Sequence, residues 1–124
     1  MTYKDFTGSV QAANGPGAPG TLFNPTFTAL TGFTGLQFPN TGKEMVEIIN
    51  GATASSYTVN VGATVGGHAV AADGPTPLPT NNTAPVRLGP FPTYYNQPGT
   101  NLVKIDFTSV ATVTAAVTQT PGVS

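Results

Sequence analysis

Charged residues are scarce in this chain. Only 7% of its 124 residues are Asp, Glu, Lys or Arg, against roughly 25% in an average soluble domain. The four basic residues are Lys4, Lys43, Arg87 and Lys104, scattered along the chain, and the formal net charge is -1. Nucleic acids and anionic membrane surfaces are bound by clustered Lys and Arg. The composition therefore argues against both as partners.

Cysteine and tryptophan are absent. Without cysteine there is no disulfide framework, no thiolate metal site and no thiol nucleophile. The first residues, "MTYKDFTGSVQAANG", lack the apolar region of a signal peptide. No apolar run approaches the ~20 residues that a membrane-spanning helix needs. These absences predict a soluble product made inside the cell.

Glycine, proline and threonine are abundant, with 15, 12 and 21 residues. Glycine and proline favour turns, and β-branched threonine favours strands. Apolar residues alternate in "SYTVNVG", "LVKIDF" and "SVATVTAAVT", which indicates strands with one buried face. The segment "KEMVEIIN" is apolar on both faces, and "APVRLGP" predicts a short strand. We predict an all-β chain: a single antiparallel β-sandwich, jelly-roll or immunoglobulin-like, of about six to eight strands over residues 25–124.

The connections carry expectations of their own. The segment from Phe107 to Val110 is short enough to predict a tight hairpin between the last two strands. Residues 71–82, "AADGPTPLPTNN", read as a long loop. Residues 26–38 predict one short strand or a coil with a single turn.

Residues 1–24 form a predicted extended N-terminal arm, rich in glycine and proline from Ala13 onward. The arm also carries large apolar side chains, among them Tyr3, Phe6, Leu22 and Phe23. Two interpretations stay open: these side chains fold back on their own domain, or a neighbouring subunit orders part of the arm.

The stretch "RLGPFPTYYNQPG" places aromatic rings among prolines, so it is neither a helix nor an inner strand. We expect Phe91 to plug the end of the core. Tyr94 and Tyr95 are adjacent and cannot both point inward, so one is expected to be an exposed anchor for a partner. The candidate interface residues are therefore Tyr3, Phe6, Leu22, Phe23, Tyr94 and Tyr95.

No group of residues predicts catalysis, a cofactor or a metal site. His68 is the single histidine and has no cluster of acids near it in sequence. Strand alternation places Glu44 and Glu47 on opposite faces, which prevents them from acting as a catalytic pair. Lys104 and Asp106 are expected to be a solvated pair. We predict a protein that is not an enzyme.

The order "FPNTGKEMVEIINGA", "SYTVNV" and "VRLGPFPTYYNQPGTNLVKIDFTSVATVTAAVT" resembles small virion proteins of tailed bacteriophages, of the capsid decoration or head-associated type. The resemblance covers residues 38–118. It implies a β-sandwich that binds the major capsid protein on the exterior of an icosahedral shell, as a homo-oligomer, often a trimer. Such a protein is synthesised in the host cytoplasm and resides on the capsid surface.

Two alternatives remain. A head-to-tail connector or tail protein has the same structural character but a far lower copy number. A carbohydrate-binding β-sandwich also uses exposed aromatic rings, although such modules often include Trp, which is absent here.

Overall fold

The computed structural model describes residues 2–12, 26–62, 64–65, 68–69, 73–92, 95–97 and 99–119. Throughout these ranges the chain forms strands, turns and loops and contains no α-helix. It therefore also offers no helix with the length and hydropathy to cross a bilayer. The prediction of an all-β fold is confirmed.

Twelve strands lie in the described ranges, and half of them have only two or three residues. They are β1 (Tyr3–Asp5), β2 (Gln11–Ala12), β3 (Thr28–Ala29), β4 (Gly35–Pro39), β5 (Glu44–Asn50), β6 (Ser56–Val59), β7 (Thr64–Val65), β8 (His68–Ala69), β9 (Asp73–Pro77), β10 (Val86–Leu88), β11 (Leu102–Phe107) and β12 (Val113–Gln119). The expected count of six to eight is close to the number of longer strands and misses the short ones.

The strands form two main sheets. The first sheet has the order β1-β4-β11-β6-β9, and the second has the order β10-β5-β12-β2, with β3 also paired to β12. Most neighbours are antiparallel, but β1 is parallel to β4 and β2 is parallel to β12. A separate small ladder joins β7 to β8. Two largely antiparallel sheets around one core are consistent with the predicted sandwich.

The core lies between the two sheets and is filled by the alternating apolar residues. Val103, Ile105 and Phe107 of β11 are buried, as are Val113 and Val117 of β12. The alternation predicted for β11 is therefore confirmed. In β12 the predicted inward residues are buried, but Ala116 and Thr118 on the other face are buried as well. The core comprises Phe6, Leu30, Leu36, Phe38, Val46, Ile48, Val59, Leu78, Phe91, Val103, Ile105, Phe107, Val113, Ala115 and Val117.

Strand β5 is covered on both faces, as its sequence predicts. Val46 and Ile48 are fully buried in the core, and Met45 and Ile49 on the other face are half-buried. Glu47 shares that outer face and is only 6% exposed, with an ion pair of 3.1 Å to Arg87 on β10. The pairing compensates for taking the Glu47 carboxylate out of water.

The predicted hairpin between the last two strands is wrong. Phe107, at the end of β11, pairs with Tyr57 in the first sheet, whereas Val113 pairs with Asn50 in the second. The connection therefore crosses from one sheet to the other. Both strands bury one apolar face in the same core, and they do so from opposite sides rather than side by side.

The predicted loop over residues 71–82 contains a strand. β9 (Asp73–Pro77) pairs with β6 at the edge of the first sheet, with a register shift between Tyr57 and Val59. Proline is tolerated at a sheet edge because only one side of the strand must donate hydrogen bonds. Residues 26–38 likewise contribute β3 and the start of β4 instead of a single strand.

The first residues of the chain pack on their own domain. β1 extends the first sheet, β2 extends the second, and Phe6 between them is 2% exposed inside the core. Of the two interpretations of the N-terminal arm, residues 2–12 follow the first in this structure. Leu22, Phe23 and the Gly/Pro-rich stretch lie outside the described residues.

Candidate protein-binding site at the aromatic loop

The loop that follows β10 closes one end of the core. It begins at Gly89, whose φ of 113° suits glycine and few other residues, and the Gly89–Pro90 peptide bond is cis. A Cβ at Gly89 would lie 2.8 Å from the carbonyl oxygen of Glu44. Glycine therefore lets the loop turn directly against the start of β5.

Phe91 fills the space under this loop, as the sequence predicts. Its side chain is 5% exposed and belongs to the core. Its ring centroid lies 5.5 Å from that of Phe38, in a tilted arrangement, and 5.7 Å from that of Tyr95, in an edge-to-face arrangement. Both geometries are favourable for aromatic pairs. Phe91 thus couples the half-buried Tyr95 ring to the core.

Asn40, which directly follows β4, holds the loop in place through hydrogen bonds of its side chain. Its side-chain amide donates hydrogen bonds to the backbone oxygen of Phe91, at 2.9 Å, and to the side-chain oxygen of Asn96, at 2.7 Å. Its own side-chain oxygen accepts from the amide of Gly42 at 3.0 Å. Asn40 is 6% exposed, so these bonds satisfy a polar group that would be costly to bury alone.

Glu44 holds the neighbouring turn in place. Its carboxylate accepts hydrogen bonds from the amide of Thr41, at 2.6 Å, from the Thr41 hydroxyl and from the side chain of Gln119. Burial alone would raise the pKa of Glu44, but the bonds from Thr41 outweigh it and lower that pKa below its ordinary value. The ionised form of Glu44 is therefore the one that holds the turn at Thr41.

The loop and β6 enclose an open cleft of about 220 Å³. Its lining is mostly apolar and consists of Val59, Leu88, Gly89, Pro90, Phe91, Pro92 and Tyr95. Sites for small-molecule ligands and cofactors usually measure ~300–1,000 Å³. This cleft is smaller, and none of its described lining residues is charged, so its size and chemistry suit one or two apolar side chains.

The six candidate interface residues separate in the structure. Tyr95 lines the cleft, whereas Tyr3 lies on β1, at one edge of the first sheet. Phe6 is buried in the core, so its ring has no surface for a partner and is removed from the candidate interface. Leu22, Phe23 and Tyr94 lie outside the described residues, and they stay predictions.

Tyr3 belongs to a polar cluster on the outer face of the first sheet. Its hydroxyl is hydrogen-bonded to the Asp106 carboxylate, which also accepts from the Asn60 side chain at 2.8 Å. The ammonium group of Lys104 lies 5.0 Å from the centroid of the Tyr3 ring. Burial, followed by the bond to Asp106 and its negative charge, raises the pKa of Tyr3 to about 12.

This cluster corrects the expectation of a solvated pair between Lys104 and Asp106. Asp106 is half-buried and bonds to Tyr3 and Asn60, whereas Lys104 covers an aromatic ring. Gly35 makes the arrangement possible because it pairs with both Tyr3 and Asp106 and lies between them. A Cβ at Gly35 would lie 2.1 Å from the backbone oxygen of Ile105, so only glycine lets β4 approach β11 this closely below the Tyr3–Asp106 bond.

The two glutamates of β5 do not lie side by side. Within the described ranges, no three His, Cys, Asp or Glu residues come together in a way that could hold a metal ion. Glu44 and Glu47 are three positions apart along the regular strand β5, so they face opposite sides of the sheet. His68 lies on β8, opposite Val65.

Asn40 and Glu44 are the functional supports that sequence reasoning missed. Both lie in "FPNTGKE", which has the composition of an exposed turn. The available signal was local: an Asn and a Thr placed four and three residues before a glutamate can cap a turn with side-chain bonds. The contact of Asn40 with the aromatic loop, more than fifty residues away, has no signature in the sequence, and neither has the bond between Glu44 and Gln119.

Comparisons with known protein families, with curated proteins and with solved structures found no significant match to this chain.

Proposed function

We propose that this chain is a structural protein that adheres to an assembled protein shell, as a decoration or cement protein on the exterior of a phage capsid. The observation that carries the proposal is the braced apolar cleft beside Phe91. It is concave, uncharged and too small for a cofactor, and it lies at an accessible end of the sandwich. A site of this kind accepts an apolar side chain from a neighbouring protein surface.

The hydrogen bonds of the described loop residues support binding through shape. The Phe91 backbone is tied to Asn40, and the Tyr95 amide donates to the carbonyl of Pro92 at 3.1 Å. Two prolines further restrict the backbone. Because the cleft walls are already ordered, binding loses little conformational entropy at this surface.

The contacts of the basic side chains also favour adhesion to a protein surface over the binding of a polyanion. Arg87 pairs with Glu47, and the Lys4 and Lys104 ammonium groups lie over the rings of Phe33 and Tyr3. Most of the few cations in the described ranges are thus engaged within the chain itself. A partner recognised by this surface contributes little long-range Coulomb energy, so binding should tolerate salt.

The proposal extends to partners and architecture. We take the major capsid protein as the partner, a homo-oligomer (trimer favoured) as the working state, and the capsid surface as the location. The finer fold type proposed is a jelly-roll or immunoglobulin-like sandwich with an extended arm over residues 1–24. Individually weak contacts become strong when several linked subunits bind one shell.

The carbohydrate-binding alternative lacks a specific supporting observation. Every aromatic side chain in the described part of the chain is buried or half-buried, whereas a sugar-binding platform needs an exposed ring face. A clear sugar signal on a glycan array would nevertheless favour that alternative over ours.

The experiment is co-sedimentation of the purified protein with shells of the major capsid protein from the same virion. We expect saturable binding that changes little between low and high salt. Tyr95→Ser, in the cleft, should weaken binding. Phe33→Ser is the matched control, because it removes another half-buried ring that packs beside Lys4 and is not among the residues that line the cleft. Both variants are first checked for an unchanged circular dichroism spectrum.

Three results would contradict the proposal: no binding to shells, binding that collapses as salt is raised, or equal effects of the two variants. Occupancy separates the structural alternatives. Hundreds of copies per particle identify decoration, whereas about a dozen identify a connector at the head-to-tail junction.

A further inference from the structure

Thr2 and Gln119 lie at opposite ends of the sandwich. Thr2 lies where β11 ends, because the Thr34 amide donates to the Thr2 carbonyl at 2.7 Å and the Phe107 amide donates to the Thr34 carbonyl at 3.1 Å. From there a short connection leads into β12, which runs through the second sheet to Gln119. The Gln119 side chain donates to the Glu44 carboxylate, at the start of β5, at 3.0 Å. A pull that separates Thr2 from Gln119 therefore acts along the strands.

The strands nearest Thr2 are held by parallel pairings. In β1, Tyr3 is the register partner of Gly35 on β4, and in β2, Gln11 is the register partner of Thr118 on β12. In a parallel pair, the start of one strand and the end of its neighbour lie at opposite ends of the ladder. Pulling those two points apart slides one strand along the other. The hydrogen bonds of the ladder are then loaded together and not one after another.

Phe6 and Gln11 strengthen the same connection. The Phe6 side chain is 2% exposed in the core, and its amide donates to the Gln37 carbonyl at 2.9 Å. The Gln11 side chain donates to the Thr26 carbonyl at 2.8 Å and accepts from the Thr26 amide at 2.7 Å. Sliding β1 and β2 along their sheets therefore also requires that a large ring leave a closely packed core.

The strand at the other point of load, β12, is held over a greater length. It pairs with β5 along all seven of its residues, from Val113 to Gln119, and with β2 and β3 on its other side. A pull on Gln119 along the strand loads this ladder in shear as well. Because β1 and β2 have only three and two residues, their pairings are expected to yield first.

We infer that this fold is a tension-bearing domain, in which a pull between Thr2 and Gln119 is carried in shear by the β1–β4 and β2–β12 pairings. The inference goes beyond adhesion to a shell and does not depend on it, because it concerns only how the chain resists force. Forced unfolding is governed by the rate of unfolding and not by the equilibrium stability. The direction of the pull should therefore determine the force that the domain withstands.

Single-molecule force spectroscopy can compare two directions of pull on the same N-terminal strands. The chain has no cysteine, so pairs of introduced cysteines provide defined handles. Thr2→Cys with Gln119→Cys loads β1 and β2 in shear. Thr2→Cys with Thr31→Cys is the matched control: Thr31 is exposed and lies three residues before Thr34, at the same end of the sandwich as Thr2. This second pair separates β1 from β4 one residue pair at a time.

We expect the force at the first unfolding event to be several-fold higher for the pair that includes Gln119. Replacing Gln119 removes its bond to Glu44, which can only weaken that chain and so does not favour the expected result. Equal forces for the two directions of pull would overturn the inference.

A second comparison tests whether the N-terminal strands are the part that yields. Phe6→Leu and Leu78→Val each remove apolar volume from the core, and both are made in the chain with handles at positions 2 and 119. Phe6→Leu should lower the unfolding force. Leu78→Val, which follows β9 and lies outside the loaded strands, should leave the force unchanged even where its melting temperature falls as far. An equal loss of force in both variants would show that general stability, and not the shear of β1 and β2, sets the resistance.

Discussion

Replacing Asn40 with aspartate keeps the shape of the side chain and removes its two hydrogen-bond donors. In the native protein those donors satisfy the backbone oxygen of Phe91 and the side-chain oxygen of Asn96. After Asn40→Asp, a carboxylate oxygen faces these two acceptors at a position that is 6% exposed. The loop must then leave its acceptors unpaired or move toward solvent.

The cost follows from the number of groups affected. A buried acceptor left unsatisfied costs about 1–3 kcal/mol. The bond to the Phe91 oxygen is buried and the bond to the Asn96 oxygen only partly so. The second loss therefore adds about 1 kcal/mol, and the total is roughly 2–4 kcal/mol. For a domain of this size, 1 kcal/mol corresponds to about 3–5 °C in melting temperature. We therefore expect Asn40→Asp to melt roughly 10 °C lower at pH 7, with faster hydrogen exchange in the backbone around Phe91.

The pH dependence gives a further check with a definite sign. The introduced carboxyl is buried against acceptors, so its pKa in the folded state is raised above the unfolded value. Its protonated form can donate one of the lost bonds. The deficit of Asn40→Asp relative to the native protein should therefore shrink toward pH 4 and grow above it, as that carboxyl loses its proton.

The control is Asn81→Asp, the same change at an exposed position whose φ of 53° aspartate also tolerates. It should leave the melting temperature almost unchanged. If Asn40→Asp and Asn81→Asp melt together, the two donors do not hold the aromatic loop, and the preorganised cleft loses its explanation.

Three further predictions concern the supports of the fold. Gly62→Ala places a methyl group against the backbone of Asn96 in the aromatic loop. It should cost more stability than the ~1 kcal/mol expected for Gly42→Ala, where φ is 91° but the surrounding space is open. The urea midpoints of the two variants are compared, and equal midpoints would contradict the close approach of Gly62 to the loop. The pKa of Glu44 is lower in the folded chain than in the unfolded chain, so its ionised carboxylate stabilises the fold above the unfolded pKa, and this contribution is lost as the pH falls through the folded pKa. Glu44→Gln should therefore lower the stability at pH 7 and make the stability depend less on pH in the acid range. An unchanged dependence of stability on pH would show that the carboxylate has no such role. The pKa of Tyr3 is raised to about 12, so its neutral hydroxyl favours folding up to pH 10, and this contribution is lost between pH 10 and 12. Tyr3→Phe should therefore remove the step at highest pH from the ultraviolet titration of the tyrosines, and it should cost roughly 1 kcal/mol of stability through the lost bond to Asp106. A titration that keeps this step would assign it to another tyrosine.

The sequence predicts which faces are buried better than it predicts which strands are neighbours. The alternation in β11 and β12 identifies Ile105 and Val117 as core residues because each strand has one face in the core. That alternation is the same whether the two strands pair or face each other across the core. The expected hairpin is wrong for this reason: alternation shows which face of a strand is buried, but not which strand pairs with it.

The candidate site was only partly visible in the sequence for a related reason. Phe91 stands out because a large ring between two prolines has few options except to cap a core. Asn40 and Glu44 do not, since buried polar residues in a turn have the same composition as exposed ones. Their role depends on partners distant in sequence, which only the folded chain brings together.

The position of β12 has a consequence for how the chain is made. This strand lies inside the second sheet and pairs with β2, β3 and β5, all of which leave the ribosome before it. The earlier strands must therefore wait, with their edges open, until residues 113–119 have been synthesised. Chaperones that shield exposed strand edges during translation would thus matter more for this chain than for one that pairs its strands in the order of synthesis.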